Sequence, residues 1–154
     1  MTPAAAAGRA GAVTLAVVTL DQVVKAIVRD SIARTGQVDV FPGVHLVNVR
    51  NTGVAFSMLS DGGALPVIVG LVAVVALLAF FLTHLRRPLV WLPTGLLLGG
   101  AAGNLIDRVR DGAVTDFVKL PHWPAFNVAD IAITVGVLAL LYVLEGPPRR
   151  AEQR

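Results

Sequence analysis

Two aspartates occupy positions from which they could act together as an acid and a base. Asp116 lies in the loop that follows the third long apolar segment of the chain, and Asp130 lies about one helical turn into the fourth. Both therefore reach the same boundary between lipid and water. Two carboxyls held close together share a proton, so one can activate water while the other donates to a carbonyl or a leaving amine. Spacing alone leaves a structural alternative open, in which Asp116 caps a turn and Asp130 pairs with Arg108 or Lys119.

A second polar set lies at the end of the third apolar segment. Asn104, Asp107 and Arg108 are spaced i, i+3 and i+4, so they share one face of a helix and could brace a common site. The small residues just before them, from Gly99 to Gly103, would let another helix or a substrate chain approach closely. The structural alternative is a hydrogen-bonded helix end from which Arg108 extends toward the membrane surface.

A third polar pair, Asp21 and Lys25, lies inside the first apolar segment. The two residues are four apart, so they project from one helical face about one turn from each other. Ionisable groups at this depth are costly unless they are paired. The pair therefore either forms an internal ion pair that lets the helix insert, or anchors a site and contacts a head group.

The composition predicts an integral membrane protein. The chain has 154 residues, of which 55% are hydrophobic and only 15% charged, and its mean hydropathy is +0.74. So few charges cannot cover a soluble domain, and so much Leu, Val and Ala excludes a disordered chain. The lack of cysteine excludes disulfide scaffolds and thiolate metal sites. The net charge of +3 comes from small basic groups beside apolar runs, which indicates membrane flanks rather than a nucleic-acid surface.

Four apolar segments position these polar residues, and they predict four transmembrane helices in a single membrane domain over residues 1–154. The approximate ranges are 10–28, 64–83, 89–107 and 126–144. The first segment also has features of a secretory signal peptide. Polar and branched residues, Asp21 to Lys25, follow where a small-residue cleavage site would be needed, so we expect a retained helix.

The remaining segments, 29–63 and 109–125, connect the helices on one side of the membrane. Within the first, Val38 to Phe41 and Val44 to Val49 are typical of short strands around a Pro42-Gly43 turn. The expected fold class is therefore an α-helical membrane protein with a small β-containing segment between helices 1 and 2. A short basic loop at 84–88 and the arginines of the tail (Arg149, Arg150 and Arg154) indicate that both termini are cytoplasmic. The segments 29–63 and 109–125 are then extracytoplasmic.

Other chemistries have weaker support in the sequence. No serine lies in a Gly-x-Ser-x-Gly setting, and the three histidines are scattered without a His-Glu-x-x-His motif. No phosphate-binding glycine motif of the Gly-x-x-x-x-Gly-Lys-Ser/Thr kind occurs. A non-enzymatic alternative remains, namely a small four-helix transporter or proton conduit with Asp21, Lys25 and Asp130 as relay groups.

Five sequence blocks, taken in order, carry a more specific indication. They are DQVVK at 21–25, NTGVAF at 51–56, GGAAGNLIDR at 99–108, VTDF at 114–117 and FNVAD at 126–130. Together they resemble the bacterial lipoprotein signal peptidases, also called signal peptidase II. Any one block would be weak evidence, but five in the same order over most of the membrane core are highly specific.

The resemblance implies a four-helix inner-membrane aspartyl peptidase that removes signal peptides from prolipoproteins, cutting before the diacylglyceryl-modified cysteine. It implies that Asp116 and Asp130 are catalytic. By the same motifs, polar residues that support the dyad or contact substrate are Asn51, Asn104, Arg108 and Asn127, and Asp21 with Lys25 are structural or substrate-facing. The implied partners are lipid-modified prolipoproteins and membrane lipids, without nucleic acid, metal or organic cofactor. The short stretch between Asp116 and Asp130 departs from the family pattern and is expected to be a trimmed surface loop.

Overall fold

The architecture is taken from a computed structural model, which describes residues 1–53 and 64–145. These ranges contain four long helices and one three-stranded antiparallel sheet. In chain order the elements are α1 (Pro3–Ser31), β1 (Gln37–Phe41), β2 (Val44–Asn51), α2 (Leu65–His84), α3 (Trp91–Asp111), β3 (Val114–Lys119) and α4 (Val128–Glu145). The end of the second sequence block (Val54, Ala55 and Phe56) and the arginines of the tail lie outside the described residues.

Helix α1 is longer than the sequence pattern predicts. It begins at Pro3 rather than near residue 10, since the Thr2 hydroxyl accepts a hydrogen bond from the backbone N–H of Ala5 at 3.2 Å. Proline at the first position and the alanines that follow also favour this early start. The helix ends at Ser31, and the N–H of Ile32 closes its last turn on the carbonyl of Val28.

Helix α3 is the central helix of the bundle, in contact with α1, α2 and α4. Among the described residues, α1, α2 and α4 are each long and apolar enough to cross a membrane. Helix α3 is less apolar because it carries glycine, Asn104, Asp107 and arginine. Most of its polar and glycine positions are buried against neighbouring helices. The prediction of a mostly helical membrane protein with a small β segment is confirmed at this level.

Glycines on α3 set how closely the helices approach. A Cβ at Gly99 would lie 2.6 Å from the Cβ of Val17 on α1, and a Cβ at Gly100 would lie 2.5 Å from the carbonyl oxygen of Ala129 on α4. Neither distance is possible without displacing a helix. The predicted role of this small-residue stretch, close approach of another helix, is confirmed.

Gly100→Ala is expected to lower the free energy of unfolding by about 1–3 kcal/mol, because the added methyl meets backbone that cannot rotate away. Thermal unfolding of the purified protein in detergent measures the effect. Gly11→Ala is the matched control. A Cβ at Gly11 meets nothing within 4 Å, so this change is expected to be neutral or slightly stabilising. Equal unfolding temperatures for the two variants would contradict the packing argument.

The sheet has the order β1-β2-β3 and packs against the end of α1. Val28 of α1 and Ile32, which follows the helix, form a buried cluster with Phe117 of β3. The two strands expected between helices 1 and 2 are present as β1 and β2. The placement of Asp116 in a loop is wrong, because Asp116 lies in β3, which pairs with β2.

Candidate active site

Asp116 is fixed by the sheet and by two amide side chains. Val49 pairs with Asp116 across the strands, and Asn51 lies diagonally opposite it on the same face. The Asn51 amide donates to Asp116 Oδ2 at 2.9 Å, and the Asn127 amide donates to Asp116 Oδ1 at 2.7 Å. Only 2% of the Asp116 surface is exposed. The carboxyl therefore has one fixed orientation in a nearly dry setting.

Asp130 lies in the first turn of α4 and forms a reciprocal cap with Asn127. The Asn127 side-chain oxygen accepts from the N–H of Asp130 at 2.9 Å, and Asp130 Oδ2 accepts from the N–H of Asn127 at 3.2 Å. This arrangement satisfies two free N–H groups at the helix start. The cap explains why α4 begins at Val128 rather than at residue 126.

Two asparagines connect the carboxyls into one hydrogen-bonded frame. The Asn127 amide reaches both Asp116 and the side-chain oxygen of Asn104, the latter at 3.1 Å. Asn104 in turn donates to Asp130 Oδ1 at 2.9 Å. The structure thus brings together five residues that the sequence placed on four separate segments, namely Asn51, Asn104, Asp116, Asn127 and Asp130.

The structural alternative for Asp130, an ion pair with Arg108 or Lys119, does not form. Lys119 Nζ donates to the carbonyl of Trp123 at 2.7 Å, and Arg108 Nη1 donates to the carbonyl of Asn104 at 3.3 Å. Within the described ranges, Arg108 Nε is buried without a hydrogen-bond partner. Arg108 therefore bonds the backbone of Asn104 and makes no hydrogen bond or ion pair with Asp116 or Asp130.

The environment of Asp116 raises the pKa of its carboxyl. Burial raises the pKa of the Asp116 carboxyl to about 6, and the negative charge of Asp130 adds to the shift. Hydrogen bonds from Asn51 and Asn127 oppose it, but burial dominates. Asp130 is half-buried and lines a groove of about 280 Å³ with apolar walls (Trp123, Phe126, Ile131 and Val135) and Thr134. The two carboxyls therefore differ in environment, as acid–base partners require.

Lys25 is the centre of a buried ionic cluster beneath the carboxyl frame. Its ammonium group bonds Asp21 Oδ2 at 2.7 Å, Asp107 Oδ2 at 3.0 Å and Asn104 Oδ1 at 3.0 Å, which uses its three donors. Lys25, Asp21 and Asp107 have no exposed surface. Because Asn104 also holds Asp130, the cluster positions the carboxyl frame.

The cluster also joins the helices to one another and to the sheet. Asp21 Oδ1 accepts from the N–H of Ala129 at 2.9 Å, at the start of α4. Asp107 Oδ2 accepts from the N–H of Thr115 at 3.1 Å, next to Asp116 in β3. Both the strand and the helix that carry the aspartates are thereby tied to α1 and α3.

Gln22 is a site residue that the sequence pattern does not single out, and Asp107 is one whose partner the sequence does not predict. Spacing places Asp107 on one helical face with Asn104 and Arg108, but it does not reveal the partner of Asp107 across the bundle. Gln22 bridges Asp107 at 3.0 Å and the carbonyl of Gly103 at 3.2 Å. The sequence feature that could have identified Gln22 is its position beside Asp21 within an apolar segment, where polar side chains are rare. No group of three or more His, Asp or Glu side chains suited to a metal ion occurs in residues 1–53 and 64–145.

Comparison with known proteins identifies the family of this fold and site. The family model of signal peptidase (SPase) II matches residues 13–145. Lipoprotein signal peptidase of Moorella thermoacetica is 42% identical over 134 residues, covering 84% of this chain and 88% of the relative. The protein of the same name from Rhodopseudomonas palustris is 41% identical over 156 residues, covering 92% and 93%.

A solved structure shares the fold over nearly the whole chain. It is a bacterial membrane enzyme determined by the in meso method at 1.9 Å resolution, with a TM-score of 0.83 and 30% sequence identity. The superposition covers 94% of this chain and 95% of that chain. Sequence and fold agree, and the chain belongs to the signal peptidase II family.

Proposed function

We propose that this protein is a membrane aspartyl endopeptidase that removes the signal peptide from diacylglyceryl-modified prolipoproteins, cutting before the lipidated cysteine. The observation that carries the proposal is the pair Asp116 and Asp130, both bonded to Asn127. The Asn127 amide donates to the Asp116 carboxyl, and the backbone N–H of Asn127 donates to the Asp130 carboxyl. The relatives named lipoprotein signal peptidase support the same substrate class. No observation favours the transporter alternative, in which Asp21, Lys25 and Asp130 would relay protons.

In the proposed mechanism Asp130 begins ionised and Asp116 begins protonated. Asp130 takes a proton from water as the water oxygen attacks the scissile carbonyl carbon, while Asp116 gives its proton to the carbonyl oxygen. Asp130 then protonates the amine nitrogen, the C–N bond breaks, and Asp116 recovers a proton from one hydroxyl of the tetrahedral intermediate. The products are a carboxylic acid and an amine, and the dyad returns to its starting state. The dry setting of Asp116 and the groove beside Asp130 support this division of roles.

The proposed membrane placement has all four helices spanning the bacterial cytoplasmic (inner) membrane, with both termini in the cytoplasm. The sheet and the dyad then lie at the outer face, where water meets lipid. Helix α3 crosses with its polar residues turned toward α1 and α4, so its lower hydropathy is compatible with a span. A substrate that is itself a membrane-anchored helix with a lipidated cleavage site fits an active site at this depth.

A paired-substrate assay tests the proposed activity. The purified protein in detergent is incubated with a diacylglyceryl-modified prolipoprotein and with the same prolipoprotein lacking the lipid. We expect cleavage of the lipidated form alone, before the modified cysteine, with the site determined by mass spectrometry. Equal cleavage of both forms would refute the proposed specificity, and cleavage of neither would refute the activity.

The activity is expected to depend on pH through Asp116. Because the proposed mechanism uses protonated Asp116, kcat/KM should fall as the pH rises through about 6 and should approach a tenfold loss per pH unit above it. The raised pKa also means that folded-state stability falls as the pH rises from the ordinary value of 3.8 through about 6. Initial rates at low substrate concentration, from about pH 5 to about pH 8, measure the profile. A rate that is constant over this interval would show that Asp116 does not supply the proton that the proposed mechanism requires.

A further inference from the structure

A cationic cleft lies on the face of the sheet opposite the dyad. Its volume is about 370 Å³, and four of its lining residues are the arginines Arg29, Arg34, Arg50 and Arg110. Neighbouring residues in a strand point to opposite faces. Arg50 and Thr115 therefore line the cleft, while Asn51 and Asp116 face the active site. The cleft is thus separate from the catalytic groove.

The positive charge of the cleft exceeds its negative charge. Asp111 is the one carboxylate among its lining residues, and it lies 2.9 Å from Arg110 and 4.0 Å from Arg29. Arg50 donates to the backbone carbonyl of Asp111. Among the described residues, no carboxylate lies within ion-pair distance of Arg34. Asp107 also lies 3.9 Å from Arg29 and 3.7 Å from Arg110. Donors therefore remain available chiefly on Arg34 and Arg50, which suits a phosphate group.

An apolar groove continues from the cleft along α3. It has a volume of about 380 Å³ and is lined by Ala102, Leu105, Ile106, Val109 and Arg110. These residues recur at helical spacing on one face, and Val109 is 69% exposed. Arg110 lines both the cleft and the groove. A cationic head site and an apolar channel therefore meet at one side chain.

We propose that this composite site binds an anionic diacyl phospholipid, with its phosphate in the arginine cleft and an acyl chain in the groove of α3. A free phosphate would use the cleft alone, whereas the continuous groove needs an apolar chain. The cleft lies at the ends of α1 and α3, where these helices meet the sheet. Lipid bound there would hold the sheet against the bilayer independently of the substrate.

Lipid titration of the purified full chain in detergent tests the proposal, with native mass spectrometry to count bound lipid. Phosphatidylglycerol is compared with phosphatidylcholine of the same acyl chains. We expect the wild type to prefer phosphatidylglycerol and Arg34→Gln/Arg50→Gln to lose about thirtyfold of that preference, since each arginine near a lipid phosphate contributes about a factor of five. Arg86→Gln/Arg87→Gln removes the same charge from the loop between α2 and α3, away from the cleft, and should lower the preference much less than the cleft variant does.

Two further arms separate lipid from free phosphate and guard against misfolding. Inorganic phosphate should not displace phosphatidylglycerol, and Val109→Trp, which fills the groove at an exposed position, should weaken lipid binding. Arg34→Gln alone, at an exposed side chain, should lose about fivefold of the preference without affecting the fold. Equal binding of the two lipids by the wild type, retained preference in both arginine variants, or displacement by inorganic phosphate would each overturn the proposal.

Discussion

Asp116→Asn and Asp130→Asn are each expected to lower the rate of cleavage of a lipidated prolipoprotein by about 10⁴-fold. Each change removes a carboxyl that must hold or transfer a proton, while the side-chain size is preserved. The cost should be similar for both because the two groups act on the same tetrahedral intermediate. The measurement is a single-turnover cleavage assay in detergent, with each variant checked for membrane insertion and helical content.

Asp39→Asn is the matched control for these variants. Asp39 lies on β1 with 76% of its side chain exposed, and it bonds Gln37 and His45 rather than the dyad. The same chemical change there should leave the rate within about twofold, as for most exposed substitutions. A well-inserted Asp130→Asn variant that cleaves at the wild-type rate would refute the assignment of the dyad.

The sequence was sufficient for the helices and for the residue types of the site. Long uncharged runs are specific because a bilayer sets both their length and their composition. Polar residues within such runs are rare, so Asp21, Lys25 and Asn104 stand out from the sequence alone. The spacing of Asn104 and Asp107 also predicted a shared helical face correctly.

Strand β3 could not be predicted with the same certainty. Its sequence, VTDFVK at 114–119, contains β-branched and aromatic residues typical of strands, and Gly112 ends α3 in the left-handed conformation with φ of 70°. A strand is stable only with a partner, and β2 lies more than sixty residues earlier in the chain. Local patterns do not reveal such a distant pairing.

The frame around the carboxyls shows the same limit. Asn127 and Asp130 are three residues apart, which is the spacing of a helix N-cap. This local pattern could have been recognised in the sequence. The contact of Lys25 with Asp107 joins residues on α1 and α3, and it depends on how glycine lets these helices approach. Partner choice across a bundle is a tertiary property, so neither residue spacing nor the family resemblance supplied this contact.

Lys25→Met is expected to lower the free energy of unfolding by about 3–5 kcal/mol, because it leaves Asp21 and Asp107 buried without their shared cation. For a chain of this size the melting temperature should fall by about 10 °C. Cleavage should also slow, since Asn104 loses one of the bonds that orient it toward Asp130. Thermal unfolding in detergent, followed by circular dichroism, gives the first quantity. Lys119→Met, at the only other lysine of the chain, is the control.

The double variant Asp21→Asn/Lys25→Met tests whether the cost of Lys25→Met comes from lost charge balance. The amide oxygen introduced on α1 can still accept from the N–H of Ala129, and Asp107 keeps Arg29 at 3.9 Å and Arg110 at 3.7 Å. The double variant thus removes the negative charge of Asp21 together with the positive charge of Lys25, and Asp107 remains with its arginine neighbours. We therefore expect the double variant to be more stable than Lys25→Met alone, by about 1–3 kcal/mol. If the two substitutions instead add their separate costs, Asp21 and Lys25 do not compensate each other's charge, and the ionic account of this cluster is wrong.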